Sequence, residues 1–531
     1  MSAGAVHGML SRPTEGGRVL DDDLRLADML AALSVATDLG MGQAPEKAVR
    51  SCLVATHLAR AGDLPDPVVR DVFYTTLLQH LGCTAPAHEA WYLYGDDLAG
   101  APQAERTDMA SRREALSLLL TVGQGSGLLR VRHLGRTMAA GRQGTRTIVR
   151  AVCEVGARMA ERLRLGEGVR MGLLHILERW DGDGDAHGLA GDDIALPARF
   201  AAVATQAVIF DRLGGPDAAG EMVRRRAGGW FDPDVVRTFE AVGNDLLHRL
   251  AEADVWVEVL EVEPKPARRV PQTQLDDIAR AFADMVDLKT PFTLGHSAGV
   301  AQLVGMAAGQ LRLPEDGVSL LRRAALLHDL GRVAISDRVW EQPRALTSTQ
   351  WEQVRLHPYY TERILARSAI LEPLARIAGM HHERQDGSGY HHGASGAEVP
   401  IEARLLAVAD AYQAMTQDRP YRAAMAPQVA AAEIEALARS GRFDPECARA
   451  LVEAAGQQPA RSRSVWPGQL SDREIEVLRL VARGLSNRQI AATLVISRRT
   501  AEHHVQHIYT KIGASTRAAA AMFAMEHGLL R

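Results

Sequence analysis

"HHERQDGSGYHHG" occupies residues 381–393, and "LERWDGDGDAHG" occupies residues 177–188. From Glu383 and Glu178 onward the two phrases run in step, 205 positions apart, but the histidine pair that opens the later one is missing from the earlier. The same offset lays "LPARFAAVAT" (196–205) over "IEARLLAVAD" (401–410). Upstream, an offset of 249 lays "LLQHLGC" (77–83) over "LLHDLGR" (326–332), Leu64-Pro65-Asp66 over Leu313-Pro314-Glu315, Trp91 over Trp340 and Asp38 over Asp287. Past the echo, "GGWFDPDVV" (228–236) pairs with "SGRFDPECA" (440–448). Helices rich in Ala and Leu resemble one another by chance, but matches at Gly, Trp, Pro and Asp in a fixed order do not. The chain is therefore expected to hold an internal repeat. The offsets differ by 44, which places an insertion in the first copy between about 95 and 145, where "GQGSGLL" and "GRQGTRT" read as loop.

The expected fold is all-α: two tandem helical domains, 20–255 and 273–456, and a small four-helix unit at 470–531. Residues 1–19 read as a flexible tail, 256–272 as a proline-bearing linker and 457–469 as a second linker. The composition agrees, with 47 % apolar, 24 % charged and only 5 % aromatic residues. No run of eighteen apolar residues occurs, so no transmembrane helix is expected. The four cysteines show no CxxC spacing, which argues against a zinc knuckle or a disulfide framework and for a cytoplasmic protein. Net charge is −4, yet residues 471–531 carry nine Lys/Arg and five Asp/Glu. A basic block of +4 on a body of −8 suggests a nucleic-acid-binding appendage.

The second copy concentrates metal-binding side chains: His296, His328-Asp329, His357, His381-His382 and Asp410. Imidazole and carboxylate suit Mn, Fe, Zn or similar divalent ions. Adjacent pairs on a helix project about 100° apart and can reach neighbouring positions of a two-metal cluster, with Asp329 bridging through its two oxygens. Water held between such ions ionises near neutral pH and attacks a phosphoester whose oxygens the ions polarise.

"HDLGR" (328–332), "HPYYTERIL" (357–365), the 381–393 phrase and "ARLLAVADAYQAMTQDRPYR" (403–422) resemble the HD-GYP phosphohydrolases of the HD superfamily. The resemblance implies a helical fold, two Fe or Mn ions and hydrolysis of a cyclic dinucleotide, cyclic di-GMP being the usual one. It assigns His296, His328, Asp329 and Asp410 to one metal, and Asp329, His357, His381 and His382 to the other. It makes Asp329 and Arg332 catalytic, and puts Arg332, Asp386, Gly387, Gly389 and Tyr390 on the substrate. Three positions depart from the family: Arg332 replaces a lysine, His391 replaces the proline of GYP, and Phe292 stands where some members carry a glutamate for a third metal. Arginine keeps the charge but not the geometry of the lysine. His391 and His392 read as solvated loop residues, and two metals are expected.

The first copy keeps no ligand. The alignment sets Lys47 on His296, Gln79 on His328, His80 on Asp329, Val152 or Cys153 on His357, Ile176 and Leu177 on His381 and His382, and Thr205 on Asp410. Ile176 and Leu177 are expected to fill the pocket with apolar side chains, leaving a scaffold for dimerisation, clamping or sensing. "DGDGDAHGLAGDD" (181–193) is no calcium loop, because the twelfth position is Asp192 rather than glutamate.

At the C-terminus, Ser471 and Glu474 form a capping box, Gly484 stops that helix, Asn487 opens a short helix over 487–494, and Ser497 and Gly513 bracket 498–512. Two helices joined by a tight turn are helix-turn-helix geometry. The segment resembles the LuxR/NarL-type DNA-binding domain. That resemblance sends 498–512 into the major groove, with Arg498, Arg499, Lys511 and Arg517 on the backbone, Glu502, His503 and Gln506 at base edges, and Thr500 also on the DNA. Val505 and Ile508 would face its core. The combined expectation is a homodimeric transcription regulator that binds double-stranded DNA and hydrolyses a cyclic dinucleotide. Two alternatives stand beside it: a regulator that senses nucleotide without turnover, and a phosphodiesterase whose helix-turn-helix only localises it.

Overall fold

A computed structural model describes residues 23–119, 127–456 and 466–530. The expected tail 1–19, most of the linker 457–469 and the start of "GQGSGLL" lie outside the described residues. Among the described residues the elements are helices joined by turns and loops, apart from two short antiparallel strands, Asp23–Arg25 and Arg269–Pro271, with Leu24 opposite Val270.

Sequence periodicity explains the helices. In Gln272–Asp287, Leu275, Ile278, Ala279, Phe282, Met285 and Val286 recur at helical spacing and are all buried, while Asp276 and Asp277 face solvent. Pro65 and Pro314 occupy matching N-caps, before the helices Asp66–Leu77 and Glu315–Leu327. One continuous apolar core runs through both halves of the body. The C-terminal unit has a core of its own.

The offsets found in the sequence recur as contacts. Asp38 accepts from the Ala48 amide at the start of one helix, and Asp287 accepts from the Ser297 amide 249 residues on. Glu178 accepts from the His187 amide, and Glu383 accepts from the His392 amide 205 residues on. Gly82 presses on the Val152 carbonyl as Gly331 presses on the His357 carbonyl, and a Cβ on either glycine would fall 2.0 Å from that oxygen. Gly331→Ala and Gly82→Ala are each expected to cost about 3 kcal/mol by overpacking. An earlier thermal transition by circular dichroism checks this.

Two sequence expectations about the body need correcting. "GRQGTRT" is not loop: it lies in the long helix Gly127–Arg162, bent at Gly141, whose φ is 51°. The expected linker 256–272 is built into the body, because it holds most of the helix Val255–Val262 and the strand that pairs with residues 23–25. Its Glu263 is buried and accepts from Arg25, Tyr74 and the Arg268 amide. Prolines there terminate elements rather than mark free chain.

Side chains around residues 88–97 of the first half also grip the second half. Lys289 is buried between Asp97 and Asp337, and Asp97 accepts from Ser336 Oγ at 2.7 Å and the Asp337 amide at 2.8 Å. His88 lies 2.7 Å from Glu341, which also accepts from Thr290. The C-terminal unit is seated on both halves at its last helix, Arg517–Glu526: Glu526 pairs with Arg158 and Arg162, Thr516 Oγ1 at its N-cap donates to Glu154, and Arg280 of the second half donates to the Met525 carbonyl at 3.4 Å. Arg162 also pairs with the buried Asp284, so this one guanidinium touches all three parts of the chain.

Candidate functional site

Helix ends deliver most of the site. His296 opens the helix His296–Gln310 and His357 opens His357–Leu365. His328 and Asp329 follow Glu315–Leu327, His381 and His382 follow Glu372–Gly379, and Asp410 points inward from Ile401–Met415. Asp329 sits at the centre. Its Oδ2 lies 3.5 Å from His328 Nε2 and 3.9 Å from His296 Nε2, and its Oδ1 lies 3.5 Å from His357 Nε2 and 3.7 Å from His381 Nε2. Asp410 Oδ1 is 3.0 Å from His296 and 3.8 Å from His328, and its Oδ2 is 4.0 Å from His382 Nδ1. The structure therefore brings all seven side chains into one cluster, two groups sharing one carboxylate.

The outer nitrogens fix which atoms face inward. The Nδ1–H groups of His328, His357 and His381 donate to the carbonyls of Ala325, Val354 and Ala378 at 2.8, 2.6 and 2.6 Å. His296 Nδ1 lies 2.9 Å from Gln417 Oε1. Each of these Nε2 atoms is thereby aimed at the cluster, where it presents a lone pair once its ring is neutral. Burial pushes His357 down to about 4 and, with its neighbouring imidazoles, His381 down to about 3, and it holds His382 well below its usual value. His328 goes the other way: burial opposes its charge, but Asp329 and Asp410 outweigh burial and push it up to about 9. Burial also opposes charge on Asp329, yet His328 and Arg332 hold its carboxyl far below the usual range. Buried carboxylates that demand positive charge, beside uncharged imidazoles with inward lone pairs, are a donor set that fits divalent metal ions. His328 Nε2 has no hydrogen-bond partner, which agrees with that fit.

Around the cluster, Arg332 donates to Asp329 Oδ2 at 3.2 Å and stacks 3.9 Å from the Trp340 ring centroid. The Tyr390 ring lies 4.8 Å from that of His382. Gly389 packs against the His382–Glu383 backbone, where a Cβ would meet the Glu383 Cα at 2.5 Å. Asp386 and Gly387 shape the loop: Asp386 is exposed and accepts from Ser388, and Gly387 has φ 76°. Two arginines escaped the sequence reading. Arg419 is held by the Phe292 carbonyl at 2.7 Å, and burial, with Arg332 nearby, pushes it down to about 10. Arg384 is largely buried, and Asp410 opposes the lowering that burial causes. Arg419 stands in the "DRPYR" stretch (418–422), which is the sequence signal for it.

In the first half the corresponding space holds an ion pair. Lys47 Nζ bonds Glu105 and lies 3.0 Å from His80 Nε2, which is itself 3.0 Å from Glu105. Thr205 donates to Gln79, and Gln206 donates to the Glu105 carbonyl at 2.7 Å. Ile176 is only half-buried and Leu177 is exposed, so apolar filling is not what replaces the ligands. An internal ammonium–carboxylate–imidazole network does, and its Glu105 comes from the inserted segment.

The C-terminal unit folds as four helices, Asp472–Ala482, Asn487–Leu494, Arg498–Ile512 and Arg517–Glu526, with capping boxes at Ser471 and Ser486. Arg498, Arg499, Thr500, His503 and Gln506 are exposed on the third helix, and Val505 and Ile508 are buried beneath them. Arg498 pairs with Glu502 at 2.8 Å, which offsets the acid on that face. Lys511 is engaged by Glu474 at 2.7 Å. Arg517 differs from its expected place: it donates to the Leu485 carbonyl and lines a small cavity with His88 and Glu89, at the seam with the body.

An HD domain description matches residues 280–447, and one for bacterial regulatory proteins of the luxR family matches 468–524. The chain belongs to the HD-GYP family of cyclic nucleotide phosphodiesterases and carries a luxR-type helix-turn-helix domain. Its similarity to 3'3'-cGAMP-specific phosphodiesterase 3 of Vibrio cholerae is 32 % identity over 446 residues, 83 % of this chain and 97 % of that protein. The crystal structure of a Vibrio cholerae cyclic GMP-AMP specific phosphodiesterase, V-cGAP3, aligns with TM-score 0.58 at 29 % identity, covering 82 % of this chain and 99 % of that one. Over a shorter span, the cyclic di-GMP phosphodiesterase response regulator RpfG of Xanthomonas campestris is 39 % identical across 161 residues, 30 % of this chain and 42 % of that protein. Among the described residues, no helix is long and apolar enough to cross a membrane.

Proposed function

We propose that this protein is a metal-dependent cyclic dinucleotide phosphodiesterase joined to a DNA reader. The observation that carries the reading is the position of Asp329, whose two oxygens each face a different pair of inward-directed imidazoles. His296, His328, Asp329 and Asp410 would hold one divalent ion, and Asp329, His357, His381 and His382 the other. Bound there, such ions supply Lewis acidity toward the phosphodiester and lower the pKa of the attacking water. Iron or manganese is the proposed occupant. Arg332, with Arg419 behind it, sets positive charge beside the cluster for the substrate phosphate. Stacking on Trp340 orients the Arg332 guanidinium. Tyr390 and Gly389 bring the loop over His382, where a nucleotide base can stack.

The substrate class is a cyclic dinucleotide. The motifs favour cyclic di-GMP, and the relative matched over 97 % of its length, named for 3'3'-cGAMP, favours that nucleotide equally. Incubation of Mn- or Fe(II)-loaded protein with each, read by mass-resolved product analysis, tests the reading. Linear dinucleotide from the wild type and none from His328→Ala is the expected outcome. Specific DNA binding without turnover would favour a nucleotide sensor instead.

We further infer a tandem arrangement in which the first copy is a sealed scaffold, supported by the recurring contacts and the Lys47–Glu105–His80 network. For the reader, the exposed basic start of Arg498–Ile512 supports major-groove binding by a homodimer. Arg498→Ala with Arg499→Ala is expected to reduce the slope of log K against log salt by about 2 on a random-sequence duplex. Lys511→Ala should reduce it less, because Glu474 already engages that ammonium. Fluorescence anisotropy at several salt concentrations reads both.

A further inference from the structure

A second group of metal-ligating side chains joins the loop that covers the cluster to the helix His357–Leu365. Glu362 Oε2 is 3.1 Å from His391 Nε2 and 2.8 Å from His392 Nε2. The three ligand atoms all lie within 4.8 Å of one another. We propose that Glu362, His391 and His392 form a separate binding site for a divalent ion of the zinc class, which clasps the 384–393 loop onto the helix His357–Leu365.

The donor chemistry fits: two imidazoles and one carboxylate are a familiar three-residue set that leaves one position of a tetrahedral ion open. The spacing fits as well. Zn–N and Zn–O bonds of about 2.0–2.1 Å put tetrahedral ligands roughly 3.3 Å apart, so an ion needs only a small outward movement of these atoms. Glu362 can lie flat against the neighbouring helix because residue 379 is glycine, where a Cβ would meet Glu362 Oε2 at 2.8 Å. His391 stands at the position where the GYP signature has a proline, which offers no donor.

A purely structural role for the trio is answered by the repeat. In the first half, Glu178 closes the equivalent loop through the His187 amide, as Glu383 does through the His392 amide. The first half carries Ala157, Ala186 and His187 at the corresponding positions. Its loop closes without the trio, so closure alone does not require it. The second copy is the one with chemistry to cover, and its loop brings Tyr390 onto His382. An ion at the clasp would hold that ring in place.

The test uses the full-length protein, loaded with Zn2+ and passed through gel filtration, with zinc per chain counted by elemental analysis. Wild type is expected to retain one more ion than the double variant His391→Ala, His392→Ala, and one more than Glu362→Gln. Asp329→Ala should keep the clasp ion, which separates this site from the central cluster. Hydrogen exchange over 384–394 should slow with Zn2+ in the wild type and not in the double variant. The difference between proteins is the readout, so it stands whether or not the central cluster fills. Equal zinc content in wild type and both clasp variants, with unchanged exchange, overturns the proposal and leaves a hydrogen-bonded His–Glu–His contact.

Discussion

Asp329→Ala is expected to remove both central ions together and to lower cyclic dinucleotide hydrolysis by about a thousandfold or more. The reason is position. Asp329 is buried between the His296–His328 pair and the His357–His381 pair, within 3.5–3.9 Å of all four Nε2 atoms. Losing a partner one layer outside a metal typically costs about 10–100-fold. A carboxylate shared by two ions should cost far more, because its loss removes charge from both sites at once. His296→Ala should weaken one ion first and leave the other better retained. Elemental analysis of the purified variants, beside the hydrolysis rate, separates these outcomes. Loss of a single ion from Asp329→Ala would argue against a shared ligand.

Lys289→Met is expected to destabilise the protein by about 3–5 kcal/mol. Lys289 is 2 % exposed and lies between Asp97 of the inserted segment and Asp337 of the second half. Burial opposes its charge, but Asp97 and Asp337 outweigh burial and raise its pKa. Removing the ammonium leaves two carboxyl groups facing each other in a dry seam. Asp97→Asn combined with Lys289→Met should recover part of the loss, because an amide needs no counter-charge there. Urea unfolding followed by circular dichroism reads the order: wild type, double variant, single variant. A single variant as stable as the wild type would show that this seam does not hold the halves together.

Much of the site was legible because coordination chemistry restricts residue types. His296, His328, Asp329, His357, His381, His382 and Asp410 stand out in sequence as side chains with few other reasons to recur in apolar helices, and the structure brings them together. The repeat was legible for a related reason: Gly82 and Gly331 tolerate no side chain, and Asp38 and Asp287 hold matching helix starts. What escaped has no period and no counterpart. Glu105 lies in an insertion that the second copy lacks, so no alignment could announce its pairing with Lys47. Leu177 was placed in a pocket by alignment, but one apolar residue at a turn can face either way, and it faces out. The contact of His391 and His392 with Glu362 is invisible in sequence, because Glu362 is about thirty residues away and only the fold brings it near, although His392 stays exposed as expected. The linker 256–272 misled through its prolines, since Pro271 ends a strand as readily as a proline marks free chain.

Turnover tests the central claim most directly. Full-length protein reconstituted anaerobically with Fe(II), or with Mn(II), is mixed with 3'3'-cGAMP or cyclic di-GMP and the products are resolved by mass. Linear dinucleotide is expected from at least one of them, abolished in Asp329→Ala and His328→Ala. Metal-replete, folded wild type that leaves both nucleotides intact would contradict that claim.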